Sequence, residues 1–374
     1  MTKSKHIAFM MPNFNGGGAE FVTVELANAF ALRGYEVDMV VFRATGPNKA
    51  GLSDKVQLVD LKLPWLYFAP FAIRRYLSRV QPDLIISTLF HTNVFLMAAR
   101  LLLPSAKTRS VLIEHSMLSI RARHSKRKTK GLFLLVARLL YRFADRIVGV
   151  SQGVADDIES ITGLSDGQVT CIYNPVIRDS LAEELLKQRQ VLRSPNSGPR
   201  LIVAAGRLEI EKDYATLIRA FATLSERESA KLVILGEGSL REELEALTDS
   251  LGLAGQVEMA GYVDDAGSYF RKADLFVLSS IYEGLPTVLI EALSFGLPVV
   301  STDCPSGPGE ILANGEFGLL VPPGDATALA AAMSECLRAE PDSQRQIARA
   351  LEFTVKRSVD SYEKLALEVC GAFA

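Results

Sequence analysis

Two glutamates with seven residues between them, Glu283 and Glu291 in Tyr282-Glu283-Gly284-Leu285-Pro286-Thr287-Val288-Leu289-Ile290-Glu291, supply carboxylates on either side of a turn. The apolar run Leu275-Phe276-Val277-Leu278 before them reads as a buried parallel strand, and Pro286 at its favoured first position opens a helix. Glu283 is therefore expected at a strand's C-terminal edge, with Glu291 about two helical turns further on. Open α/β sheets bind ligands at that edge, and the free amides of a helix start attract phosphate. The spacing suits a nucleoside-diphosphate sugar, with diphosphate on the helix-start amides of Thr287 and Val288, Gly284 and Leu285 as further donor-binding residues, and the carboxylates on sugar and ribose hydroxyls. Two solvated glutamates around an ordinary loop are the plainer alternative.

Upstream, Val203-Ala204-Ala205-Gly206-Arg207 is a strand running into a glycine turn, and Lys212 follows Arg207 five residues later. A departing diphosphate gains charge as the bond to it breaks, so a guanidinium and an ammonium aimed at one spot would lower that barrier. Either cation alone reads as a surface charge. In this order with Glu283 and Glu291 they resemble family 4 of the retaining glycosyltransferases (glycosyltransferase group 1), and the resemblance extends over nearly the whole chain. It implies the GT-B architecture: two Rossmann-like, doubly wound α/β domains facing a cleft, with the last helix crossing back to the first domain. It further implies that Arg207 and Lys212 stabilise the diphosphate, that Glu283 holds the donor sugar and Glu291 the ribose, and that neither metal nor cofactor takes part.

Other segments fit the same resemblance. Asn15-Gly16-Gly17-Gly18-Ala19-Glu20 enters a helix after the first strand, where glycines admit a ligand close to the backbone. The spacing is not GxGxxG, which disfavours a nicotinamide or flavin enzyme; the family places a Gly-Gly-Ala-Glu segment here, near donor phosphate or acceptor. His115 ends a strand in Glu114-His115-Ser116, and the resemblance implies contact with a donor-sugar hydroxyl, although the family's usual following Asp is Ser116 here. A buried, hydrogen-bonded histidine without a ligand is the alternative. Glu237, in Gly236-Glu237-Gly238, and Tyr262 and Val263, after Gly261, end two further strands that in the family line the nucleotide base. Cys304-Pro305-Ser306-Gly307-Pro308-Gly309 resembles a loop of bacterial transferases that build surface glycans from hexose or N-acetylhexosamine donors. Cys304 itself reads as a packing residue.

A basic run, Arg121, Arg123, Lys126, Arg127, Lys128 and Lys130, precedes an apolar stretch and then Arg138, Arg142 and Arg146. Cations beside an apolar helix face suit anionic headgroups or the pyrophosphate of a lipid-linked glycan acceptor. A solvated basic loop is the alternative. Nucleic acid is disfavoured, because the net charge is −2 and no Phe, Tyr or Trp interleaves the basic run 121–130. The expected partners are a UDP-sugar, a polyprenyl-pyrophosphate-linked glycan and, peripherally, the inner membrane face.

These residues need a scaffold of alternating strands and helices. Apolar runs at 6–10, 37–41, 84–87, 109–113 and 146–150, then at 201–205, 231–235, 257–260, 275–279 and 298–302, alternate with helical stretches as two parallel sheets require. At 374 residues the chain is long enough for two cores. The expected division is a first domain of residues 1–187 with the final helix 355–374, a linker at 188–199 and a donor domain of 200–354. Four scattered cysteines without CxxC spacing indicate reduced thiols in a cytoplasmic protein, and four histidines without cluster spacing argue against zinc. Asp264-Asp265 reads as a helix cap rather than a metal pair. A nucleotide-sugar 2-epimerase of the same fold, or a non-catalytic glycan- or lipid-binding relative, remain the competing functions.

Overall fold

Continuous apolar strands need cover on both faces, and the computed structural model supplies it in two sheets flanked by helices. It describes residues 5–15, 17–103, 107–124, 127–164, 167–187, 198–226 and 228–371. The first sheet comprises β1 (His6–Met11), β2 (Glu36–Val41), β3 (Gln57–Asp60), β4 (Leu84–Thr88), β5 (Arg109–Glu114), β6 (Arg146–Gly149) and β7 (Val169–Cys171), in the order β3-β2-β1-β4-β5-β6-β7. The second comprises β8 (Arg200–Ala205), β9 (Ala230–Leu235), β10 (Val257–Gly261), β11 (Leu275–Leu278), β12 (Val299–Thr302) and β13 (Leu319–Val321), in the order β10-β9-β8-β11-β12-β13. All ladders between these strands are parallel. In each sheet the order reverses once, between β1 and β4 and between β8 and β11, which is where this class of sheet opens a ligand crevice.

The strands read from sequence are all present, and β3, β7 and β13 are additional. Each of the three lies at a sheet edge and spans only three or four residues, too short for a burial signal. In the second unit the helices Tyr214–Ser225 and Ala326–Arg338 cover one face of the sheet, burying Leu217, Phe221, Leu329 and Met333 against Ile202, Ile234 and Val277.

The chain forms two compact units, residues 1–175 with 355–374 and residues 176–354. The helix Asp179–Lys187, placed in the first domain on sequence, thus falls in the second unit. The cause is local: the amides of Val176 and Ile177 both donate to Phe353 O (3.1 and 3.0 Å), and Ile177 bridges Thr354. Most of the expected linker lies outside the described residues. The last helix, Val355–Cys370, joins the first unit as expected. Arg33 pairs with Asp360 and Glu363, Tyr35 Oη donates to Glu363 Oε1 (2.7 Å), and Ser358 Oγ donates to Tyr173 O (2.7 Å).

Candidate active site

The loops after β8 and β11, neighbours at the reversal of the second sheet, are stitched together. Ser279 Oγ donates to Lys212 O (2.7 Å), and the Ile281 amide donates to Glu211 O (2.9 Å). A 3-10 turn, Ile210–Lys212, and a left-handed Asp213 (φ +45°) bring the lysine back over the end of β8, and the Asp213 carboxylate accepts from the Thr216 amide to start the next helix. Lys212 Nζ then lies 2.6 Å from Glu283 Oε1, and Ser280 Oγ donates to the same oxygen at 2.6 Å. Both charged side chains are mostly buried, with 14% and 12% of their surface exposed, so pairing offsets much of their lost hydration.

Glycine geometry makes the close return possible. Gly206 has φ +150° and Gly236 φ +146°; a Cβ on Gly206 would sit 2.9 Å from Lys212 Cε, and one on Gly236 would sit 2.0 Å from Gly206 O. Only bare backbone lets β8 and β9 end side by side beneath the lysine.

Arg207 departs from expectation. Its guanidinium is 76% exposed and pairs with Glu211 Oε1 at 2.6 Å, so the two cations have separate carboxylates rather than a common focus. Glu211, four residues along, is simply nearer to the flexible arginine stem. Tyr282 lies within the field of both pairs: burial raises its phenol pKa, Glu211 and Glu283 add to the rise, and Arg207 opposes it.

The helix after Glu283 begins at Thr287, with Pro286 at the N-cap rather than at the first helical position. Thr287 and Val288 therefore have amides without an intrahelical acceptor. Glu291 sits within this helix, Thr287–Ser294; burial raises its pKa, and the Thr287 side chain, hydrogen-bonded to it, partly reverses the rise. The Gly284 carbonyl accepts from Ser306 Oγ (2.9 Å), which ties the Cys304–Gly307 region to this loop, and Leu285 is buried. Cys304 is buried and its thiol is pushed up to about 12, first by burial and then by Glu283, so it packs rather than attacks. Glu237 is exposed and accepts from Arg241 Nη1 (2.7 Å), while its carbonyl holds the Leu208 amide (2.9 Å) beside Arg207. Tyr262 is exposed and Val263 half-buried at the end of β10.

In the first unit Gly17 is the N-cap of the helix Gly18–Leu32, and a Cβ on Gly18 would meet nothing within 4 Å; Gly16 lies outside the described residues. His115 follows β5 with its Nε2 buried and without a hydrogen-bond partner, and burial lowers its pKa to about 4. Beside it, Glu114 is fully enclosed. Tyr141 Oη donates to Glu114 Oε1, Asn93 Nδ2 donates to it at 2.8 Å, and burial nevertheless raises the carboxyl to about 7. Arg121 lies over the Phe90 and Phe133 rings (5.7 and 5.8 Å), and Arg123 is exposed. Lys126 lies outside the described residues, as do the side chains of Arg127 and Lys128, whose backbone opens the helix Arg127–Leu140. On that helix Leu132, Leu135 and Leu139 form an exposed apolar stripe with Arg138 beside it.

Sequence reasoning missed Ser280, Glu211 and the Glu114–Tyr141–Asn93 cluster. Ser279-Ser280 at the end of an apolar strand run was a usable signal; the pairing of Asn93 and Tyr141 with Glu114 carries none, since they meet only across the fold. Among the described residues no group of three or more His, Cys, Asp or Glu side chains is placed to hold a metal, and no helix is long and apolar enough to cross a membrane.

Two parallel sheets, each reversing once, and a charged pair at the second reversal define an α/β transferase fold of the GT-B type. HepE of Anabaena, solved in complex with UDP, shares that fold at TM-score 0.79 and 21% identity over 97% of this chain and 100% of that one. Residues 16–180 match the family model described as Glycosyltransferase Family 4, and residues 187–353 match Glycosyl transferases group 1. The two together span most of the chain, which belongs to this glycosyltransferase family. Similar relatives include a Campylobacter jejuni GalNAc-alpha-(1->4)-GalNAc-alpha-(1->3)-diNAcBac-PP-undecaprenol alpha-1,4-N-acetyl-D-galactosaminyltransferase, 29% identical over 98% of this chain and 99% of that one. Another from the same organism, an N-acetylgalactosamine-N,N'-diacetylbacillosaminyl-diphospho-undecaprenol 4-alpha-N-acetylgalactosaminyltransferase, is 36% identical over 49% of this chain and 48% of its own length.

Proposed function

We propose that this glycosyltransferase moves a hexosyl or N-acetylhexosaminyl group, with retention, from a UDP-sugar to a hydroxyl of a polyprenyl-pyrophosphate-linked glycan at the inner membrane face. The observation that carries the donor assignment is the Lys212–Glu283–Ser280 cluster at the β8/β11 reversal, beside a helix start with free amides. The ammonium stabilises the departing diphosphate, joined by the amides of Thr287 and Val288, and Arg207 swings from Glu211 onto the same oxygens. Glu283 takes donor-sugar hydroxyls and Glu291, whose pKa burial raises, the ribose. For His115 the reading keeps the sugar-hydroxyl contact that the family resemblance implies, through a neutral imidazole. Charge compensation by side chains and amides leaves no required task for a metal ion.

The choice of acceptor draws on the lipid-linked substrates named for the Campylobacter relatives, and the choice of UDP draws on the HepE complex. Nucleotide-sugars screened by thermal shift test the donor: ligand at about a hundred times Kd stabilises the folded protein by roughly 2.7 kcal/mol. A shift with UDP and one UDP-sugar is expected. No shift with any UDP compound sinks the donor assignment, and release of a free 2-epimer from the UDP-sugar alone would identify an epimerase instead.

A further inference from the structure

Residues 63–72, Leu63-Pro64-Trp65-Leu66-Tyr67-Phe68-Ala69-Pro70-Phe71-Ala72, contain no charged side chain, yet most of this segment lies on the surface. Trp65, the chain's one tryptophan, is 65% exposed, Tyr67 64% and Phe71 61%, with Leu66 and Phe68 exposed beside them. Five neighbouring bulky apolar side chains in water form a patch that isolated surface hydrophobics do not.

The segment is also held in shape. Arg43 Nε donates to Leu63 O and its Nη2 to Pro64 O, both at 2.9 Å; Leu63 and Ala69 are buried as anchors; a 3-10 turn, Leu66–Phe68, leads into the helix Ala69–Val80. Between Asp60 and Asp83 its flanks along the chain carry only cations. From residue 61 to residue 82 there is no acidic residue, and Lys62, Arg74, Arg75 and Arg79 are all exposed, in a chain whose net charge is −2.

The helices Ala69–Val80, Phe90–Leu101 and Arg127–Leu140 follow strands that step the same way across the sheet, so right-handed crossovers place them on one face. They pack side by side: Arg74 Nε donates to Leu102 O (3.1 Å), and the Phe90 and Phe133 rings stack at 3.9 Å. The exposed stripe of Leu132, Leu135 and Leu139 therefore belongs to the same face of the first unit.

We propose that residues 65–71 form a membrane-insertion element that seats the first unit in the interface of an anionic phospholipid bilayer. Tryptophan and tyrosine rings favour the headgroup level, apolar side chains favour the acyl boundary, and flanking arginines favour anionic headgroups. A carbohydrate-stacking site would instead set one or two rings among hydrogen-bonding side chains, and here the rings stand among Leu66, Pro64 and Pro70. The inference extends the reading of a membrane-held acceptor but stands apart from it, because adsorption to bare lipid requires neither donor nor acceptor.

The test uses the full chain with phosphatidylglycerol/phosphatidylethanolamine vesicles free of polyprenyl lipid, and with phosphatidylcholine vesicles as the neutral control. Flotation with the anionic vesicles, weakened by salt, and a blue shift of the single tryptophan's emission are expected. The variant W65S/Y67S/F71S should lose about tenfold or more in partitioning, as removal of partly inserted aromatic side chains requires, while keeping its thermal midpoint and UDP response. Equal flotation of variant and wild type, or flotation without a tryptophan shift, overturns the proposal and moves lipid contact to the 121–146 segment. Absence of flotation together with self-association that the variant abolishes overturns it in favour of a second copy of the chain. Loss of the UDP response in the wild type would strike the donor assignment and leave this inference untouched.

Discussion

Each sheet ends in a buried polar cluster, and the two clusters solve burial in opposite ways. In the second unit Lys212 and Glu283, both mostly buried, pair directly at 2.6 Å, so each side chain has a partner in place of lost hydration. In the first unit Glu114 is enclosed by the neutral groups of Tyr141 and Asn93, and the adjacent His115 has no partner for Nε2. Burial then outweighs hydrogen bonding: the carboxyl rises to about 7 and the imidazole falls to about 4. The difference lies in the partners at two strand ends: Glu283 has an ammonium at 2.6 Å, whereas Glu114 is bonded by a phenol and an amide, and neither they nor the charge of Arg121 offset its burial. On the function proposed above, the charged pair receives the diphosphate and the hydrogen-bonded Glu114 cluster lies beside the histidine that orients a hydroxyl.

The comparison breaks most visibly at the charged end. Lys212→Ala should cut turnover by on the order of a hundredfold or more, as loss of one group aimed at developing charge does. Arg207→Ala should do so as well if the guanidinium leaves Glu211 for the diphosphate. Steady-state kinetics with circular dichroism as a folding control decide it, and near-normal kcat in both variants would remove the diphosphate role.

The neutral end predicts a pH effect on stability. Glu114, raised from 4.5 to about 7, binds more protons when folded, so it lowers stability as pH rises through that window, by on the order of 3 kcal/mol. His115, lowered from 6.5 to about 4, binds fewer protons when folded, so stability is lost as pH falls through its own window. The two slopes oppose each other between about pH 4.5 and 6.5. Glu114→Gln keeps an acceptor for Tyr141 and Asn93 while removing the titration, so its stability relative to wild type should grow from pH 5 to pH 8. Urea melts at both pH values measure this, and parallel profiles for variant and wild type would show that Glu114 does not titrate as argued.

The smallest expected effect is that of chelation. If side chains and amides meet the diphosphate as proposed, excess EDTA should change purified activity by less than about twofold. Loss of activity that Mg²⁺ or Mn²⁺ restores would mean that the Lys212–Glu283 pair is an incomplete site.

Legibility followed burial. Strands buried on both faces, such as Leu84–Thr88 and Leu275–Leu278, announce themselves as apolar runs, whereas the short edge strands Gln57–Asp60 and Leu319–Val321 do not. The domain division shifted by a dozen residues because backbone bonds from Val176 and Ile177 to Phe353, remote in sequence, settle where the second unit begins. Lys212 and Glu283 could be named from motif and spacing, but their direct pairing, with Ser280 as a shared partner, could not.

The sequence by itself determined the class of fold, the order of the elements and the chemical types at the candidate site, because periodic burial and glycine turns are local properties of the chain. Tertiary structure alone brought Glu283 to Lys212, 71 residues away in sequence, and it alone surrounded Glu114 with Tyr141 and Asn93. It also left Trp65, Leu66, Tyr67, Phe68 and Phe71 uncovered. Ion pairing, desolvation and exposure depend on what long-range packing brings within a few ångströms, and no residue's identity or spacing specifies that.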